Sequence, residues 1–133
     1  MKKQVMMLCT AIILFSAFSK ATAQSEVKGN PVIIGYLKVA QYDFTEKMTW
    51  KHAKKSCASL GKGWRLPTKE ELNTLFINKD NIGGFADDFY WSATVGYSID
   101  NNKDMDWVQL FFGGRQDYMA KTNEFKVRAV RDR

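Results

Sequence analysis

The sequence predicts an α+β domain built around an antiparallel sheet. Three observations carry that prediction. A β-branched, aromatic run opens the foldable part of the chain. Two helical patterns follow back to back. The remaining residues read as short aromatic strands separated by turn residues. Helices segregated from hairpin-linked strands exclude a doubly wound arrangement, in which strands and helices alternate.

Residues 32–40 (Val-Ile-Ile-Gly-Tyr-Leu-Lys-Val-Ala) predict a strand, or a strand pair bent at Gly35. Residues 42–47 connect it to the first helix. Thr49 is the expected N-cap, and Trp50, Ala53, Cys57 and Leu60 recur on one apolar face. Gly61 and Gly63 end that helix. Pro67 disfavours helix before it. Thr68 and Glu71 then form a capping box, in which each side chain satisfies a backbone N–H of the first turn. Leu72, Leu75 and Phe76 make the apolar face of the second helix, which should end near Asn78. Residues 80–88 read as a loop. Strands are expected over 90–95, 107–112, 118–121 and 125–131, with a polar turn at 98–104.

The N-terminus belongs to a different problem. Lys2 and Lys3 precede an apolar run from Val5 to Phe18, and Ala21-Thr22-Ala23 supplies the small residues of a signal-peptidase site. The run of about 14 residues is shorter than the roughly 20 needed to span a bilayer. The expected organisation is a signal peptide at 1–23, a polar leader at 24–31 and the folded domain at 32–133. Cys9 lies mid-run after Leu8, where a lipoprotein requires a small residue. The expected location is secreted or periplasmic, including association with the cell surface, with no membrane span after cleavage.

Cleavage changes the charge argument. The chain has 20 Lys and Arg against 14 Asp and Glu, a formal +6. Loss of Lys2, Lys3 and Lys20 leaves 17 against 14, or +3. A nucleic-acid partner is not expected on that balance. What remains is local. Lys47, Lys51 and Lys55 recur every four residues with Lys54 beside them, which on a helix makes a basic ridge. Such a ridge attracts sulfated or carboxylated polysaccharide, and its simplest alternative is a solvated helix face.

Three motifs and a closing string carry a resemblance. They are Met48-Thr49-Trp50 with Ala53 and Cys57, then Gly63-Trp64-Arg65-Leu66-Pro67-Thr68 with Glu71-Leu72, then Tyr90-Trp91-Ser92-Ala93-Thr94. Val127-Arg128-Ala129-Val130-Arg131 closes the chain. In this combination the sequence resembles the bacterial Lcl C-terminal-domain family from about Tyr36 to Arg131. The resemblance implies a C-type-lectin-like fold with paired first and last strands. The family's named member is associated with adhesion to host glycosaminoglycans. Many members carry Cys in the closing motif where this chain has Ala129, so Cys57 lacks that partner.

The motif residues Trp50, Cys57, Trp64, Arg65, Leu66, Pro67, Thr68, Glu71, Trp91, Ser92, Arg128 and Arg131 are read as structural. Trp91 and Trp107, each beside apolar neighbours, are both expected in the core. Cys57, the one cysteine left after cleavage, is expected as a buried small hydrophobe; an intermolecular disulfide and a reactive thiol are the sharper alternatives.

Catalytic and metal chemistry are not expected. His52 is the one histidine, on the exposed side of the first helix, and no phosphate loop or nucleophilic triad is present. Formylglycine-generating enzymes share the broad fold but need a cysteine pair. The prolines, Pro31 and Pro67, are in neither the Glu-Pro-Asn nor the Gln-Pro-Asp triplet of calcium-dependent lectins. The run Asp100 to Asp106 has alternating oxygen ligands but places Met105 where an EF-hand needs Gly and Phe111 where it needs Glu. It is read as a solvated hairpin loop, with no cofactor. The functional expectation is a non-enzymatic binding module for surface recognition or adhesion, its partner an extracellular polysaccharide or a surface protein. The alternative is a structural or protein-interaction subunit of an extracellular assembly. Oligomeric state is not legible.

Overall fold

The computed structural model describes residues 27–96 and 104–133. The expected signal peptide, the first three residues of the leader (24–26) and most of the 98–104 turn lie outside the described residues.

The first strand region is a hairpin. β1 (Val32–Ile34) pairs antiparallel with β2 (Leu37–Val39), and Gly35 takes φ +57° at the turn, a left-handed conformation open to glycine. The last strand, β6 (Val130–Asp132), pairs with β2 on its other edge. The chain ends therefore meet as expected, through the second arm of the hairpin.

Helix α1 (Trp50–Ser59) starts at Thr49, whose side chain accepts from the His52 amide. Helix α2 (Lys69–Ile77) starts with the full capping box: the Glu71 amide donates to Thr68 Oγ1 at 3.1 Å, and the Thr68 amide donates to Glu71 Oε1 at 2.8 Å. A single further turn, α3 (Lys79–Ile82), forms where a loop was expected. It ends on Gly83. The second sheet is an antiparallel meander of β3 (Phe89–Val95), β4 (Met105–Leu110) and β5 (Gln116–Ala120). A register shift between Trp91 and Val95 marks a bulge in β3.

The expected strand 125–131 is a correction. Only its end enters a ladder. The rest threads between two neighbours and bonds to them in turn: the Met48, Phe44 and Ala40 amides donate to the Phe125, Val127 and Ala129 carbonyls, and the Trp91 amide donates to the Lys126 carbonyl. Alternation of partners breaks the continuous ladder but joins the two sheets.

Two apolar clusters result. One packs Ala53 and Cys57 of α1 against Trp64, Leu66, Trp91, Val108, Val127 and Ala129. The other packs Leu72 and Leu75 of α2 against Leu37, Val39, Tyr90, Phe111 and Val130. Between them lies a buried charge. Arg128 is fully buried, donates from Nε to Asp43 at 2.6 Å and bonds the Ala40 and Gly83 carbonyls. Its guanidinium lies 4.0 Å from the Phe85 ring centroid. Tyr90 donates its hydroxyl to the other oxygen of Asp43 at 2.5 Å.

Candidate functional site

The expected ridge does not form as spaced. Lys47 precedes the first turn of α1, so the four-residue rule fails for it. Its ammonium pairs with Asp88 at 2.6 Å instead. Lys51, Lys54 and Lys55 are exposed on α1.

The structure assembles a different basic corner, centred on Trp50. The Thr49 cap puts Trp50 in the first helical turn, where its indole N–H donates to the Ser92 carbonyl at 3.1 Å. Lys54, one turn on, holds its ammonium 4.6 Å from the Trp50 ring centroid. Lys121, from the turn after β5, holds its own at 4.0 Å. Backbone bonds fix that turn: the Trp50 amide donates to the Lys121 carbonyl, and the Lys121 amide to the Asp104 carbonyl. An ammonium over an aromatic face is attracted by the ring quadrupole. Beside this stack lies an open groove of about 570 Å³, lined by Thr49, Trp50, Lys51, Asp104, Lys121 and Thr122. A second cleft, about 360 Å³ and more apolar, runs between Lys54, Ala58 and the Trp64–Thr68 loop.

Asp106 underlies the corner. It belongs to β4 rather than to a solvated loop, which corrects the reading of 100–106 at that residue. Its side chain is fully buried, Ser92 Oγ donates to Oδ2 at 3.5 Å, and Oδ1 has no hydrogen-bond partner. Burial pushes its carboxyl up to about 7, against the opposing pull of Lys121, Ser92, Trp50 and Lys54.

Most of the other motif residues are buried or hydrogen-bonded within the fold. Trp64 and Leu66 are buried in the α1 cluster, and the Pro67 carbonyl accepts from the Ala93 amide. Arg65 donates to both oxygens of Glu71 at 2.6 and 2.9 Å and to Asp132 at 2.8 Å, tying α2 to the last strand. The Glu71 hydrogen bond chiefly raises the Arg65 pKa. Burial alone pushes the Glu71 carboxyl up, but Arg65 and the Thr68 amide outweigh it and hold it below its ordinary value. Trp91 is buried and donates its indole N–H to the Met48 carbonyl. Arg131 is exposed and sits opposite Lys38 in the sheet register. Cys57 is buried, and desolvation pushes its thiol up to about 12. Trp107 departs from expectation: it is half-buried, with Lys69 Nζ 3.5 Å from its ring centroid and Tyr118 packed edge-on.

Asp43, Asp106 and Lys121 were missed. Each acts through a partner more than ten residues away, so no local spacing marks it. Among the described residues no cluster of three His, Cys, Asp or Glu could hold a metal ion. No described helix is long and apolar enough to cross a membrane.

The model of the Lcl C-terminal domain matches residues 20–131, most of the chain. The protein belongs to the Lcl C-terminal domain family. Solved structures agree on the fold. EMS16, described as an antagonist of the collagen receptor integrin α2β1, aligns with a TM-score of 0.57 at 12% identity, over 78% of this chain and 98% of its own. A chain from a complex of a mutant von Willebrand factor A1 domain with botrocetin aligns with a TM-score of 0.54 at 13% identity, over 78% and 97%. This Lcl C-terminal domain thus has the α+β, C-type-lectin-like fold. No curated protein matches its sequence at a significant level.

Proposed function

We propose that this Lcl C-terminal domain is a non-enzymatic binding module that works outside the cytoplasm by surface recognition of an anionic polysaccharide at the Trp50 corner. The observation that carries the reading is the pair of ammonium groups, Lys54 and Lys121, held over one indole beside a groove that Lys51 also lines. Cations held against a ring lose less freedom on meeting an anion than solvated lysines do. The indole edge and the two threonines supply the apolar and hydroxyl contacts that a sugar ring needs. Secretion rests on the charged start, apolar run and Ala-Thr-Ala site of residues 1–23.

The test is binding to sulfated, carboxylated and neutral polysaccharides at low and high salt. Binding to the charged polymers at low salt is expected, with loss at high salt through screening. Lys51→Glu combined with Lys121→Glu should weaken it by about tenfold or more. Failure to bind any polyanion at low salt rejects the reading.

A second reading, a protein-interaction subunit, is favoured by exposed apolar residues away from that corner. Ile77 at the end of α2 is 71% exposed and Phe112 after β4 is 68% exposed. The elements that carry them are joined by the edge contact of Phe76 with Phe111. EMS16 and the botrocetin complex are both described through protein partners. Glycan-independent capture of a surface protein, abolished by Ile77→Lys with Phe112→Lys, would support it over the first.

A further inference from the structure

Beneath the Trp50 corner the fold buries a carboxyl that its hydrogen bonds do not satisfy. Asp106 is fully buried, accepts from the Ser92 hydroxyl at 3.5 Å, feels the Trp50 indole and leaves Oδ1 without a partner. A permanently ionised carboxylate would be costly in that place, because a buried charge needs several strong donors or a close counter-ion. The same Ser92 accepts the Trp50 indole N–H through its carbonyl, so carboxyl, strand and indole form one connected unit. The charged groups around it come from two elements. Lys54 faces it from α1 and Lys121 from the turn after β5. Its neighbours across the sheet are Val95 on β3 and Met119 on β5, and neither titrates. Asp104 and Lys51 lie farther out, on the groove wall.

We propose that Asp106 is a proton-operated regulator of this corner, strengthening the hold on an anion when it carries a proton and weakening it when it does not. The inference rests on the anionic-ligand reading and adds its regulation. The two lysines stacked on Trp50 are the same two whose charge Asp106 feels. With the carboxyl neutral, their field is directed at the groove. With it ionised, part of that field is cancelled from below. Proton binding and anion binding are then linked, each strengthening the other by the same factor. Burial of the group places the proton exchange near neutrality.

The test uses dextran sulfate, whose sulfate groups stay ionised throughout, so any pH dependence belongs to the protein. Affinity at low, constant salt should be about three- to tenfold higher near pH 5.5 than near pH 8.5. Asp106→Asn should hold the tighter affinity at both. His52 is the competing titratable group on α1, and His52→Gln should leave the pH dependence in place. The indole N–H resonance of Trp50, assigned by loss in Trp50→Phe, should titrate in the wild type and in His52→Gln but not in Asp106→Asn. Equal affinity at both pH values, or a Trp50 titration that survives Asp106→Asn, overturns the regulator alone. No binding at either pH overturns it together with the anionic-ligand reading.

Discussion

Removing the counter-charge of Arg128 should be among the most damaging single changes to this domain. Asp43→Asn keeps the shape and one acceptor oxygen but removes the charge. The guanidinium it leaves is fully buried and retains the Ala40 and Gly83 carbonyls and the Phe85 face. Those are neutral partners. Breaking a buried pair by removing one member costs about 3–5 kcal/mol, because an uncompensated charge stays behind. Retained carbonyl contacts place the expected loss at the lower end, about 3 kcal/mol. The Tyr90 hydroxyl also trades a charged acceptor for a neutral one. For a domain of about this size, 1 kcal/mol shifts Tm by about 4–8 °C, so a fall of about 12 °C or more is expected. The assay is thermal and urea unfolding of Asp43→Asn, Arg128→Met and the double variant. The two changes should be strongly non-additive, with a coupling of about 2 kcal/mol or more, because Arg128→Met removes the charge that Asp43→Asn orphans. A loss below about 1 kcal/mol for Asp43→Asn, or additive single effects, would refute the view that this pair holds the joint between the sheets.

Three other outcomes follow from the same geometry. Asp106 is held at about 7 against an ordinary 3.8. A raised carboxyl contributes its stability below the unfolded value and loses it as pH rises through the folded one. Stability should therefore fall between about pH 4 and 7, by up to roughly 4 kcal/mol, and Asp106→Asn should flatten that fall in pH-dependent urea melts. Glu71 has the opposite sign. Its contribution is present above its ordinary 4.5 and disappears as acid protonates it, so Glu71→Gln should cost about 1–2 kcal/mol at neutral pH and progressively less in acid. Cys57 should react with a thiol reagent about a hundredfold more slowly in native protein than in urea, and comparable rates would show that α1 opens readily.

Much of the helical half was legible in the chain. Thr49, Thr68 and Glu71 mark helix starts because capping is chemistry between residues two or three apart, and the structure shows those bonds. Lys47 leaves the expected ridge for a related reason. Helical spacing holds inside a helix, and Lys47 stands before the first turn. Residues 125–131 have the alternation of a strand, yet their amides and carbonyls are divided between two neighbours that no local pattern reveals. Asp106 looked like part of a polar loop because the polar run 100–104 precedes it; the β4 register turned it inward instead.

The sequence by itself determined the α+β class, the two capped helices, the burial of Cys57 and Trp91 and the family. The family rests on the motifs it shares, and the others on interactions between near neighbours or on apolar periodicity. Only the tertiary structure decided where the charges act. It paired Lys47 with Asp88, sealed Arg128 against Asp43, and brought Lys121 to Trp50 across 71 positions of sequence. Burial and long-range pairing set the energy of a charge, and both are properties of the folded surface rather than of spacing along the chain.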